Sequence, residues 1–484
     1  MMGANKDSAV YGAKWMTISS LTTAVVSLLR ISILTKFVDK EAFGIVAILT
    51  LVLGLTQTFA DLGFSTSVMY KQNLSRKDFV SLYWIQLLIF ALLYIVISSF
   101  SSLIARFYAE PLLRRLLPIS LLDLIFYGIG RLHDTVLQKE FKFKILAIRN
   151  IIAAVSSLIL AVILATLGFG VYSLVLSTIF QTMVNNIWNA IAGQQFYKLQ
   201  FSMSVKDTIP LIKIGLYQTG TQIVDYLSTK LDILIIGKFL GTESLGVYSL
   251  AKELVIKVIS IVNMIVNKVV LPFFSKFQND DAELGALYKK VLRYLSLINF
   301  PICLLIGIFS VPVILILYGK GYSEVAPILS ILSVWGVFLC IGNPVGNLAI
   351  AKGRTDMSFK YTIVRVIVTF PIVLLTSIHS LELVAWGQVL LSLILFFVGY
   401  KMLIFKMIRL SFREYLFSWG GVALLSILVG TICDMIYRIN IIYIENEILQ
   451  LLIYGCITLC IYLFVAQFFY KKDFLDLINI VRKK

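Results

Sequence analysis

The chain has 484 residues, of which 59% are hydrophobic and only 14% charged, and its mean hydropathy is +0.92. Soluble domains carry about 45–50% apolar and about 25% charged residues, so the composition excludes a soluble enzyme, a disordered chain and a disulfide scaffold, and specifies a polytopic membrane protein. The 43 Lys and Arg exceed the 26 Asp and Glu by 17 charges, an excess that in a soluble protein would point to nucleic acid and is explained here by where the cations fall.

A helix that crosses a membrane needs about 20 mostly apolar residues. The sequence predicts fourteen, roughly at 11–35, 42–70, 79–105, 112–136, 146–167, 171–197, 208–237, 244–275, 287–318, 324–351, 358–379, 383–404, 414–437 and 448–470. Phe79–Ala105, Tyr294–Gly319, Val325–Ala351 and Ile448–Tyr470 are free of charge throughout. Asn150–Tyr197 breaks only at Gly168-Phe169-Gly170, a tight turn between two spans. Barrel strands alternate apolar and polar residues and run about 9–11 residues, which this pattern excludes. The stretch after Lys14 is long enough to span and lacks a small-residue cleavage site, so it reads as the first helix and not as a leader.

Cytoplasmic loops collect Lys and Arg. With the N-terminus inside, the inner segments hold 28 of the 43 cations, the outer loops 8 and the spans 7. Both termini are therefore expected in the cytoplasm. The cysteines Cys303, Cys340, Cys433, Cys456 and Cys460 all fall in spans, and neither a disulfide nor a metal site is expected.

Two segments match at an offset of 202 residues. The first is Lys36-Phe37-Val38-Asp39-Lys40-Glu41-Ala42-Phe43-Gly44-Ile45. The second is Lys238-Phe239-Leu240-Gly241-Thr242-Glu243-Ser244-Leu245-Gly246-Val247. Phe143-Lys144 and Phe359-Lys360 give a weaker echo. Helices 1–6 (residues 1–205) and 7–12 (206–410) thus read as two halves, with two further helices and a basic tail in 411–484. Six is even, so both halves enter the membrane in the same direction, as in a parallel repeat.

Ionisable groups in a span are costly and need a reason. Arg131 and Arg365 lie near inner helix ends, and Lys268 a turn or two in, where a long side chain reaches back to the interface. Arg131 is also three residues before Asp134, a helical-neighbour pair. Asp225, Lys230 and Asp232 crowd the seventh helix, and Asp232 is the repeat counterpart of Arg30. Arg30, Lys230, Lys257, Asp225, Asp232 and Glu253 are expected to line a central polar cavity. The competing reading is local pairing, with Glu253 and Lys257 four apart on one face. His133 and His379 stand at predicted helix ends and suit the membrane interface. Asp39-Lys40-Glu41 has the look of a glycosyltransferase acidic pair, but Glu41 has its repeat counterpart in Glu243 and reads as a helix-start acid.

With these features the chain resembles the Wzx-type polysaccharide exporters, lipid-linked oligosaccharide flippases of the multidrug/oligosaccharidyl-lipid/polysaccharide exporter superfamily. The resemblance lies in the Lys36–Gly44 start to helix 2, in Ala60-Asp61-Leu62-Gly63-Phe64, in Leu137–Phe143 and in Gly168–Leu174. It continues in Leu231–Gly241 and Ala351–Asp356, and it spans essentially the whole chain. Together these motifs are similar to the branch with colanic-acid and teichuronic-acid exporters.

The resemblance implies a transporter, not an enzyme, of the bacterial cytoplasmic membrane, with a multidrug-extruder-like fold and no cofactor. It implies that undecaprenyl-pyrophosphate-linked repeat units are moved between leaflets by alternating access. Arg30 and Lys230 would then meet the phosphates. Asp225 and Asp232 are left with two roles, coupling to a proton or sodium gradient or balancing charge. Membrane lipids, a polymerase and other assembly proteins are the implied partners, and nucleic acid is not one. The alternatives are a cation-coupled multidrug extruder, which typically has twelve helices, and a membrane polymerase or glycosyltransferase, which should carry a long outer loop.

Overall fold

The structure is a computed structural model that describes residues 2–71, 74–200, 205–439, 447–471 and 473. The helices in chain order are α1 (Met2–Leu34), α2 (Lys40–Asp61), α3 (Phe64–Tyr70), α4 (Arg76–Ser99), α5 (Ser101–Tyr108) and α6 (Leu113–Lys139). Next come α7 (Phe143–Thr166), α8 (Val171–Gly193), α9 (Val205–Phe239), α10 (Gly241–Lys276), α11 (Asp281–Ile308) and α12 (Ser310–Leu317). The last of the described helices are α13 (Val325–Ala351), α14 (Thr355–Ser377), α15 (Leu381–Gly399), α16 (Phe405–Ile408), α17 (Phe412–Ile439) and α18 (Glu447–Phe469). A π turn, Tyr400–Ile404, carries α15 into α16.

With α3, α5 and α12 set aside as short pieces, and α15 and α16 taken as one rod, the described residues form the fourteen long helices that the sequence predicts. Eleven of these are long and apolar enough to cross a membrane; α8, α9 and α10 complete the set. The protein is an all-α, multi-pass membrane protein.

Three predicted spans are each broken into two helices. The span at 42–70 breaks at Leu62 and Gly63, which both take the left-handed conformation, with φ of 41° and 69°. Glycine adopts that conformation without the Cβ clash that penalises other residues. The span at 79–105 breaks at Phe100 and that at 287–318 at Phe309, where ψ of 0° and 27° departs from the helix. Polar residues flank the breaks, Asp61 and Ser65 at the first, Ser98, Ser99, Ser101 and Ser102 at the second and Ser310 at the third, but the long apolar runs on either side carry the hydropathy through each of them.

Contacts within the chain gather into two compact units, Met1–Gly246 and Val247–Lys484, with the boundary inside α10. In the first unit α6 is central and packs on α8, α4, α2 and α3, while α1 lies on α7 and α9 on α2 and α3. Helices in lipid gain little from excluding water and associate through close packing at small residues. Gly130 of α6 accordingly receives the backbone of Asn186 on α8, and Gly193 of α8 receives the ring of His133 on α6. In the second unit α11 packs on α13 and α17, α15 on α13 and α14, and α18 on α17 and α12. Apolar side chains such as Ile95, Ile367 and Phe464 are more than half exposed, the expected state of groups whose solvent is hydrocarbon.

Candidate functional site

Two assemblies of charged groups link helices within the first unit. The larger ties α2, α4, α6, α7 and α8 together. Asp61 accepts hydrogen bonds from Ser65 Oγ (2.7 Å) and Gln86 Nε2 (3.0 Å) and lies 3.6 Å from Arg131 Nε. Arg131 is also 4.0 Å from Asp134, the neighbour pair expected from the spacing. Asp134 in turn accepts from Arg149 Nη1 at 2.8 Å and from Gln138 at 2.7 Å. Arg149 further donates to Asn189 and, at 2.7 Å, to Asn150. Two guanidinium groups thus face two carboxylates; Asp61, Asp134 and Arg149 also have neutral hydrogen-bond partners, as burial of charge demands, and Arg131 lies over the Tyr127 ring at 5.6 Å. Arg131 is therefore anchored across helices to α2, which corrects its reading as a side chain that merely reaches back to the interface. Arg149 is a buried residue of α7.

His133 is also corrected. It is fully buried in protein and faces neither lipid nor water, with its ring edge-on to Phe79 and Tyr83 at centroid distances of 5.2 and 5.4 Å. The sequence shows a histidine near a helix end but not the aromatic pair that encloses it.

The second assembly is built on the repeat. The two matched segments meet within the first unit, where the start of α2 lies against the start of α10. A Cβ on Gly44 would fall on the Thr242 carbonyl oxygen, and a Cβ on Gly246 on the Lys40 carbonyl oxygen. Lys40 and Thr242 are themselves repeat counterparts. Lys40 Nζ pairs with Glu243 at 3.2 Å, and Thr242 Oγ1 donates to Glu110 at 3.2 Å. Further along α2, the Tyr226 hydroxyl of α9 donates to the carbonyls of Thr50 (3.1 Å) and Leu51 (3.2 Å), over Gly54.

Of the six residues expected in a polar cavity, four belong to the first unit. Arg30 of α1 reaches α8, where its Nη2 donates to Leu174 O (2.9 Å), Ser177 Oγ (2.8 Å) and Thr178 Oγ1 (2.8 Å). Asp225 and Asp232 are two helical turns apart on one face of α9, and Lys230 sits roughly 140° around the helix from Asp225. Asp232 is buried and accepts from the Ile233 amide at 2.9 Å, whereas Asp225 is exposed and Lys230 half-buried. Glu253 and Lys257 belong to the second unit, where they pair with each other at 2.8 Å along α10. The side chain of Lys268 lies outside the described residues.

Sequence reasoning passed over two features. One is the set of cross-helix partners Asp61, Gln86, Arg149 and Asn189. The other, in the second unit, is a group of asparagines on α10 and α13; the charge-free run at 325–351 already holds two of them, polar residues in a stretch with no charge to draw attention to it.

Comparison with known proteins defines the class. The chain belongs to the polysaccharide biosynthesis protein family, whose sequence profile matches residues 33–327. It is similar to the lipopolysaccharide biosynthesis protein WzxC of Escherichia coli (strain K12), at 24% identity over 85% of this chain and 84% of the relative. It is similar too to the teichuronic acid biosynthesis protein TuaB of Bacillus subtilis (strain 168), at 26% identity over 84% of each. Among solved structures it shares the fold of the lipid II flippase MurJ in its inward closed conformation, with a TM-score of 0.75, 18% identity, and coverage of 96% of this chain and 99% of that one. An inward-facing multidrug resistance MATE family transporter of the MOP superfamily matches at a TM-score of 0.61 and 16% identity, over 80% of this chain and 97% of that one.

Proposed function

We propose that this protein is a flippase that carries lipid-linked oligosaccharide repeat units across the bacterial cytoplasmic membrane for surface polysaccharide synthesis. One observation carries the reading: a chain of the polysaccharide biosynthesis family has, over nearly its whole length, the fold of a lipid II flippase. The protein makes and breaks no bond in this role, so it is a transporter and not an enzyme.

The physical task is to move a pyrophosphate and a polar sugar through hydrocarbon while the polyprenyl tail stays in lipid. Cations that donate several hydrogen bonds suit the phosphates. Arg30 is held on hydroxyls and a carbonyl of α8, and with Lys230 it is our candidate for that contact. Asp225 and Asp232 balance these charges or couple the movement to a proton or sodium gradient. Glu253 and Lys257 neutralise each other along α10. The two halves, 1–205 and 206–410, rock between inward and outward states, with 411–484 appended. Both termini are cytoplasmic, which the Lys and Arg bias supports.

A cation-coupled drug extruder is the second reading, favoured by the MATE likeness. Deleting the gene in its host and measuring lipid-linked repeat units separates the two, with the leaflet assigned by an impermeant oxidant. Units trapped on the cytoplasmic side establish export as the missing step. An unchanged pool with raised drug sensitivity establishes the extruder instead.

A further inference from the structure

Within the second unit α10 and α13 share a group of amide side chains that the phosphate-handling residues leave unused. Asn267 Nδ2 donates to Asn343 Oδ1 at 3.3 Å, and Asn343 Nδ2 and Asn347 Nδ2 both donate to Asn267 Oδ1 at 2.9 Å. One turn before Asn267, Asn263 Oδ1 is buried and accepts no hydrogen bond. The spacings 263/267 and 343/347 put each pair on one helix face.

Gly342 and Gly346 lie directly before these two α13 asparagines, and a Cβ at either would meet nothing within 4 Å. Glycine weakens a helix interior, and where packing requires it a neighbour fills its place. Gly336 on the same helix shows that case, with Val255 and Ile259 at 2.9 and 3.0 Å from its would-be Cβ. At Gly342 and Gly346 the place is open. The asparagines beside this opening are half-buried, not sealed between the helices.

A side-chain amide offers donors and an acceptor in one plane and carries no charge. That matches a hydroxyl group, which both donates and accepts, and a ring bearing several of them. We propose that this site binds a neutral, hydroxyl-rich sugar of the lipid-linked substrate. Asn263, Asn267, Asn343 and Asn347 take its hydroxyls, and the space over Gly342 and Gly346 admits the ring. The proposal rests on the flippase reading and makes these residues determinants of which sugar is carried.

Amides that only tie α10 to α13 gain nothing from the open glycines, and the test uses that difference. A deletion host with radiolabelled repeat units is complemented with wild-type protein or with Asn267→Ala, Asn343→Ala, Asn347→Ala or Gly346→Leu. The rate at which label becomes accessible to the impermeant oxidant is read per molecule of membrane protein, and the melting temperature is read in detergent. Each asparagine variant should slow export about two- to tenfold, the worth of one neutral hydrogen bond. Gly346→Leu should keep its melting temperature and slow export at least as much, because it projects into the sugar's space from a position where the Cβ meets nothing within 4 Å. Export by Gly346→Leu at the wild-type rate overturns the proposal. So do asparagine variants that melt earlier yet export normally per molecule. Failure of the wild-type protein to restore export is a separate outcome, which removes the flippase reading and this site with it.

Discussion

Gly44 and Gly246 each stand where a side chain of their own would run into the backbone of the other's helix. The would-be Cβ of Gly44 coincides with the carbonyl of Thr242, and that of Gly246 with the carbonyl of Lys40. The relation is reciprocal because the two residues are counterparts in a repeat at an offset of 202. The start of α2 and the start of α10 can approach this closely only with glycine at both positions. Since the obstacle is backbone and not a flexible side chain, neither helix can yield locally.

Gly44→Ala and Gly246→Ala should therefore each destabilise by about 1–3 kcal/mol, the usual cost of overpacking. The double variant should cost clearly less than the sum, because one separation of the helices relieves both clashes. Thermal unfolding in detergent of the two single variants and the double variant reads this directly. Strict additivity would mean that the two glycines do not share one contact.

Arg149→Met should be among the most damaging single changes in the first unit. It leaves Asp134 with Gln138, Asn189 and a distant Arg131 at 4.0 Å, and breaking a buried pair costs about 3–5 kcal/mol. Removing the partner too, as Arg149→Met with Asp134→Leu, should recover most of that loss. The comparison is made on melting temperature, and a double variant worse than the single would refute the pairing.

Tyr226→Phe should remove a hydroxyl shared between the carbonyls of Thr50 and Leu51 and cost about 1 kcal/mol. Gly54→Ala should cost more, since its methyl group would meet the tyrosine hydroxyl. Combined with Tyr226→Phe, the Gly54→Ala penalty should shrink, which a double-mutant cycle on unfolding free energy measures.

Arg30→Ala and Lys230→Ala should leave protein levels near normal and slow export of repeat units by about ten- to hundredfold, the worth of charge-assisted hydrogen bonds to phosphate. Arg30→Lys should retain part of the activity, because it keeps the charge but loses the planar fork. Normal export by both alanine variants would remove them as phosphate contacts.

The helices were legible because each is an apolar run about 20 residues long, and length with composition is all that a span requires. Breaks such as Leu62-Gly63 were not, since a dihedral change leaves hydropathy untouched. Charge pairs along one helix could be read from spacing, as Glu253 with Lys257 and Arg131 with Asp134 show. Pairs between helices could not: Asp61 and Arg131, or Arg149 and Asn189, are brought together by tertiary packing that no local period encodes. The glycines of the repeat stood in the sequence as a match between two segments, but that they touch is information of the fold.

The short helix α3 has a consequence for how the chain is made. Lys139, at the end of α6, donates to the carbonyls of Val68 and Lys71 and so closes α3 from 71 and 68 residues further along the sequence. A ribosome adding about 5–20 residues per second takes roughly 3–14 s to cover that distance. For that interval the end of α3 has been made and its protein partner has not. Until α6 arrives, those carbonyls lack the lysine that holds them in the folded protein.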